Sequence, residues 1–357
     1  MDSRRALANL QFEYRRKGLA LCLGSGVSRG SGLPDWAGLL RRLAKRAYPR
    51  RKPEFYDKLC QSGLSLPALA ALLEARINEQ KPAGRFFEVL KDELYRGSPL
   101  HKAADVSIAQ RKVMARQKRE PNTTLAAVGA LCAVRAEDGF VANPRIHAIV
   151  NLNFDVLLTT YLSSRYGRGI AAAVDTALRG RADEAIPCYH AHGRISHIAH
   201  ANALPERAEY SSDFVFTEQQ YFDFFSRPFS VFSYTMMFLL RENKFLFVGT
   251  ALKDDNLRRL LHYSRSERRA SLERFQRGRS RDLPAWLARH FLIECRGGNV
   301  ELEGEMERSL ERLGVRTIWI DHWGELPELI GRLYRAGGDD WDAVYGDAGR
   351  FFSSASS

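Results

Sequence analysis

Residues 19–23 read Leu-Ala-Leu-Cys-Leu and run directly into Gly24-Ser25-Gly26-Val27-Ser28-Arg29-Gly30-Ser31-Gly32. A short apolar run of this kind reads as a buried strand, and from Trp36 to Tyr48 apolar residues recur at helical spacing, so the segment is strand, glycine loop, helix. Glycines let a backbone approach a pyrophosphate closely, and a following helix turns free N–H groups toward phosphate charge. The dehydrogenase fingerprint GxGxxG is not met, because Arg29 stands at the third glycine. The acidic ribose ligand expected about 20 residues further on is replaced by a basic stretch, Lys45 to Lys52. An ordinary hydride-transfer enzyme is therefore disfavoured.

Further strand signals stand at 146–152, 244–248, 290–294 and 316–320, separated by helical or loop material. Compact apolar strands at such spacing predict an α/β fold: a Rossmann-like parallel sheet with helices on both faces. Residues 49–143 read as a large helical insertion, interrupted by a basic loop at Gln110–Glu120. The remainder divides into a sheet domain at 1–48 and 144–338 and a C-terminal tail at 339–357.

Ligands of parallel sheets sit beyond the carboxyl ends of the strands, so the residues just after each strand are the functional candidates. The second strand ends in Asn151-Leu152-Asn153-Phe154-Asp155, where an amide and a carboxylate can hold a ribose hydroxyl or a carboxamide, or Asp155 can cap the next helix. Next comes Cys188-Tyr189-His190-Ala191-His192-Gly193; a histidine before a glycine suits general-base work near neutral pH, though a purely structural role is also open. No metal is expected at His190 and His192, which lack further ligands at metal spacing. After the third strand, Gly249-Thr250 leads to Asp254-Asp255-Asn256, read either as a helix cap or as a hold on an adenosine group.

Lys and Arg number 54 against 42 Asp and Glu, a net charge of +12, which favours an acidic or phosphate-bearing partner. Arginines concentrate between Arg258 and Arg289, leaving nucleic acid or a regulatory protein as partners alongside a solvated helix face. The five cysteines form no CxxC pair, which fits a reducing cytoplasm, and neither an export leader nor a membrane segment is expected. The aromatic run Tyr221-Phe222-Asp223-Phe224-Phe225 reads either as surface for self-association or, the preferred reading for its helical spacing, as a helix whose Phe222 and Phe225 pack on the sheet.

Taken in order, Gly24-Ser-Gly-Val-Ser28 continuing to Gly32-Leu-Pro-Asp35-Trp36, then Asn153-Phe-Asp155, His192-Gly193 and Phe247-Val-Gly249-Thr250 with Asp254 resemble the sirtuin-like NAD-binding family. The resemblance implies that Gly24, Ser25, Gly26 and Ser28 line the NAD pyrophosphate, with Asp35 and Trp36 in the same binding group. It implies that Asn153 and Asp155 hold the nicotinamide half, that His192 is the catalytic base, and that Gly249, Thr250 and Asp254 lie near the adenosine half. Deacylating sirtuins carry a four-cysteine zinc ribbon and a Phe-Arg pair after the loop. Here no cysteine pair exists, and Trp36-Ala37 occupies the second place. The chain thus looks more like the zinc-free NAD hydrolases of bacterial anti-phage defence. That likeness implies NAD as substrate, a NAD glycohydrolase activity, and a regulatory partner such as an ATPase or another defence component, while the size of the helical insertion at 49–143 is what suggests a homo-oligomer. A protein deacylase, an ADP-ribosyltransferase or a nucleic-acid-binding subunit are the alternatives.

Overall fold

Strand β1 (Leu19–Leu23) follows helix α1 (Ser3–Lys17) and leads into the short α2 (Gly26–Arg29) and then α3 (Trp36–Ala47). Five helices come next: α4 (Pro53–Cys60), α5 (Leu66–Glu79), α6 (Arg85–Tyr95), α7 (Val106–Arg119) and α8 (Thr123–Leu131). A hairpin of β2 (Ala133–Ala136) and β3 (Gly139–Ala142) precedes β4 (Ile146–Asn151), α9 (Leu157–Arg165), β5 (Ala171–Val174) and β6 (Ile186–His190). Then follow α10 (Glu218–Ser226), α11 (Val231–Glu242), β7 (Phe245–Val248), α12 (Asp255–Phe275) and β8 (His290–Cys295). The described chain closes with α13 (Val300–Glu311), β9 (Val315–Ile320), α14 (Leu326–Ala336) and a helical stretch at 341–346. This computed structural model describes residues 3–80, 85–174, 185–197, 214–226, 231–275 and 289–346.

Seven strands form one sheet in the order β5-β6-β4-β1-β7-β8-β9, with every neighbouring pair parallel. Side chains alternate between its two faces. Leu19, Leu21 and Leu23 of β1 join Ile149 of β4 and Leu246 of β7 in a core with α1, α3, α8 and α14, while Ala20 and Cys22 face the other way with Val150 and Phe247. That second face is covered by Met236 and Leu240 of α11 and by Leu257 and Leu261 of α12. Cover on both faces explains why the strands read as unbroken apolar runs, and it gives the expected α/β Rossmann-like class.

The order of the strands reverses at β1: the chain first builds β4, β6 and β5 on one side of it and then returns to build β7, β8 and β9 on the other. A crevice outside the carboxyl ends of the strands is the consequence of such a reversal. The tips of β6, β4, β1 and β7 are adjacent there, so motifs lying more than a hundred residues apart in the chain become neighbours.

Several local expectations change. Gln110–Glu120 is not a loop but the body of α7, because Asp105 caps the helix through Ile108 N at 2.7 Å and Ala109, Val113 and Gln117 form a buried stripe at spacing four. The region 49–143 is not helical throughout, since it ends in the β2–β3 hairpin. Phe222 does not pack on the sheet: it is 55% exposed, and its neighbour Tyr221 turns inward instead. The side chain of Phe225 and the Ser353–Ser357 tail lie outside the described residues. Among the described residues no helix is long and apolar enough to cross a membrane.

Candidate functional site

The glycine loop is tied to the tip of β7. Gly24 N donates to Val248 O at 3.0 Å, and Gly26 N to Gly249 O at 2.9 Å. A Cβ at position 24 would stand 2.5 Å from Gly249 O, and one at position 26 would stand 2.7 Å from Gly249 Cα. Gly249 itself adopts φ +68°, a conformation that disfavours side chains. These glycines therefore serve first to bring two strand-end loops into backbone contact, which sets the floor of the crevice.

Asn153 crosses from the β4 tip to that floor, its Nδ2 donating to Gly24 O at 3.0 Å, while its own N–H is held by Asn151 Oδ1 at 3.1 Å. Asp155 is buried, accepts from Ser28 Oγ at 3.1 Å and from Leu157 N at 2.9 Å, and so links the glycine loop to the start of α9. Burial pushes its carboxyl up to about 6, against the lowering effect of the Leu157 and Ser28 donors. Asp155 is thus both a helix-start acceptor and a loop anchor.

His192 follows β6 and is 7% exposed. Its Nε2 lies 3.4 Å from Asp254 Oδ2, and the ring is also hydrogen-bonded to the Leu152 backbone. Burial alone would lower its pKa, but the Asp254 charge and these hydrogen bonds raise it above the ordinary imidazole value. Asp254 responds in the opposite sense: burial raises its carboxyl, and His192, Leu257 N and Tyr221 together more than offset that, leaving it below the usual range. Tyr221 OH donates to the same Oδ2 at 3.3 Å, and Leu257 N to Oδ1 at 2.8 Å. Asp254 therefore caps α12, one of the two roles expected from the sequence, and at the same time holds His192, which the sequence did not foretell.

Trp36 stacks on Tyr221, with ring centroids 5.8 Å apart and planes at 17°, and its buried Nε1 has no hydrogen-bond partner among the described residues. Asp35 caps α3 through Gly38 N at 2.8 Å. Thr250 Oγ1 accepts from Leu252 N at 3.3 Å and shapes the turn into α12. His190 Nδ1 meets Asn153 O at 3.2 Å. No group of three metal-ligating side chains occurs among the described residues.

Three supporting residues escaped the sequence reading. Asn122 caps α8 through Leu125 N at 3.1 Å and sends its Nδ2 to Val27 O at 2.8 Å and Ser31 Oγ at 3.0 Å, bracing the glycine loop from the inserted helices. Tyr95 of α6 donates to Ile195 O and accepts from Val156 N at 3.3 Å, joining the segments that follow β4 and β6. Tyr221 is the third; it lay within an aromatic run but carried no mark of its role.

Residues 147–290 match the SIR2-like domain family. The matched span runs from β4 to the start of β8 and contains Asn153, Asp155, His192 and Asp254; the glycine loop lies before it and is brought to the same crevice by β1. SIR2-like domains bind NAD, so the match supports the sirtuin-like resemblance and an NAD-using protein. A search of curated proteins returns no match. A backbone floor, the Asn153 amide and the Asp155 carboxylate from one strand tip, and the His192–Asp254 pair from two others are groups of the kind that bind a ribose and a carboxamide.

Proposed function

We propose that the chain is an NAD glycohydrolase that splits the bond between nicotinamide N1 and ribose C1′, giving nicotinamide and ADP-ribose. The observation that carries the reading is the convergence of Asn153, Asp155 and the His192–Asp254 pair on one crevice built by four strand tips. As the N1–C1′ bond breaks, its electron pair leaves with nicotinamide and the ribose gains oxocarbenium character. Water attacks C1′ and gives a proton to His192, whose imidazolium then faces the Asp254 carboxylate. A contact of 3.4 Å is loose for a working hydrogen bond, and substrate binding is the step that tightens it. Asn153 fixes the floor against the rim, so that the reacting ribose is held in one orientation.

The resemblance to anti-phage NAD hydrolases extends the proposal to a defence effector acting by NAD depletion, held in check by assembly or by a regulatory partner. The test is product analysis after incubating purified chain with NAD, alone and with candidate partner proteins, with and without a chelator. Nicotinamide and ADP-ribose in equal amounts, insensitive to chelation, are expected. Transfer of ADP-ribose to protein, or of an acyl group from protein lysine to ADP-ribose, with no free ADP-ribose, would reverse the assignment.

A further inference from the structure

Far from the strand tips, where β8 and β9 begin, a small recess is lined by Ser264, Arg265, Arg268, Arg289, His290 and Gly314, and among the described residues no acidic side chain lines it. His290 opens β8 and Gly314 precedes β9, so the recess lies at the amino ends of the strands, opposite the candidate NAD crevice. Two of its three guanidinium groups are held in place by backbone carbonyls. Arg265 Nη1 donates to Arg312 O, and Arg289 Nη2 to Glu242 O at 2.8 Å. Each of these two arginines keeps a buried Nε with no hydrogen-bond partner among the described residues.

The surroundings are basic. Burial depresses the Arg265 and Arg268 guanidinium groups; Arg269 adds to the effect on Arg265, and Glu242 opposes it on Arg268. His290 is pushed down to about 3 by burial, then by Arg268 and Lys244, so it is neutral, and its Nδ1 accepts from Phe245 N. The neighbouring acids have partners of their own, Glu13 with Lys244 and Glu242 with Arg241 at 3.4 Å. Cations withdrawn from water with little carboxylate charge against them are costly, and an anion that accepts their free N–H groups removes that cost.

We propose that Arg265, Arg268 and Arg289 form a binding site for a phosphate-type oxyanion, separate from the NAD crevice and independent of the glycohydrolase reading. Planar guanidinium forks match tetrahedral oxyanions, and the Ser264 hydroxyl adds a donor. Free phosphate and the phosphodiester of a nucleic acid present the same oxygens, and the two sources are separable by experiment.

The full chain is heated in phosphate and in chloride at equal ionic strength, and binding of a short DNA duplex is followed against salt. Phosphate should stabilise beyond chloride, and Arg268→Gln and Arg289→Gln should each weaken the phosphate response about tenfold. Duplex binding that falls with Arg268→Gln and with added salt assigns the site to nucleic acid, whereas duplex binding indifferent to the substitution assigns it to free phosphate. Phenylglyoxal modification of the unaltered chain, mapped by peptide mass, should be slowed by phosphate at these three arginines, which covers the case of a variant that fails to fold. The proposal is overturned if phosphate does no better than chloride, if the arginines are not protected, or if folded Arg268→Gln keeps the full response, as phosphate bound at the glycine loop would.

Discussion

His192 Nε2 and Asp254 Oδ2 stand 3.4 Å apart although they come from chain segments separated by α10, α11 and β7. Tyr221 fixes the shared carboxylate oxygen from α10, and Trp36 stacks behind Tyr221 from α3. The pair is therefore set by four elements, and its charge state is coupled to how those elements close. A histidine this deeply buried would otherwise be a poor base, because burial lowers its proton affinity.

The first prediction concerns pH. A general base must be neutral before it accepts a proton, and the His192 pKa is raised, so the acidic limb of NAD turnover should lie above the ordinary imidazole value of about 6.5. In Asp254→Asn, burial acts without the opposing charge, and the limb should move to lower pH while turnover falls. The His192 ring resonance, titrated by NMR without NAD, should shift in the same direction. An unmoved limb and resonance in Asp254→Asn would remove Asp254 from its positioning role.

Loss of the base is the second prediction. His192→Ala should lower NAD turnover by about 10²–10⁴-fold with an unchanged circular dichroism spectrum. Asn153→Ala should also lose most turnover, and it should cost about 1 kcal/mol of stability, because Gly24 O loses its donor. Full turnover by folded His192→Ala protein would falsify its assignment as the base.

Most of the sheet was legible because buried parallel strands are short apolar runs, and β1, β4, β7, β8 and β9 each show one. Two strands were not. β5 is three alanines and a valine, with low strand preference, and β6 contains Pro187, which argues against an interior strand. The strand-end residues were readable as a set, since polar groups directly after apolar runs have few core roles. Their mutual arrangement was not readable: Asp254 carries a local cap signal that is also true in the fold, and nothing in its neighbourhood of sequence points to His192. Asn122, Tyr95 and Tyr221 act through contacts with distant segments, and an isolated polar or aromatic residue within a helical region gives no sign of such a contact.

Asp155 supplies the third prediction. Its folded pKa of about 6 is above the ordinary 3.8, so the native state binds more protons than the unfolded chain between those values, and stability falls as pH rises through that window. Above pH 6 the charged form is the cost. Asp155→Asn keeps an acceptor for Ser28 and Leu157, and should be more stable than the parent at pH 7–8 by about 3 kcal/mol at most, with the difference vanishing below pH 4. Urea unfolding at several pH values measures it; a gap that does not depend on pH would mean that Asp155 is not the titrating group.

The fourth prediction tests the brace on the glycine loop. Asn122→Ala removes the α8 cap and the donors to Val27 O and Ser31 Oγ in one step. A cost of about 2–4 kcal/mol in urea unfolding is expected, together with weaker NAD binding through the loosened loop. Asn122→Asp keeps the cap but not the Nδ2 donors, so it should restore part of the stability and little of the NAD affinity. Equal NAD affinity in all three proteins would confine Asn122 to a structural role.

Assembly is the fifth. Within 49–143, Leu64, Leu66 and Leu72 are exposed around the first half of α5, and Val106 and Val141 are exposed further along the same region. Scattered apolar residues need no explanation, but three exposed leucines within nine positions of one segment are candidates for an interface. The sheet and the crevice need none of them for cover. A homo-oligomer is therefore expected, and light scattering at micromolar concentration should give a mass well above the 40.5 kDa of one chain. Joint replacement of Leu64, Leu66 and Leu72 by serine should return the mass to one chain without loss of the thermal transition, because none of the three belongs to the buried core. If assembly gates the activity, the single-chain variant should also lose NAD turnover while still binding ADP-ribose. A parent protein that is already a fully active monomer would sink both the interface and the gating.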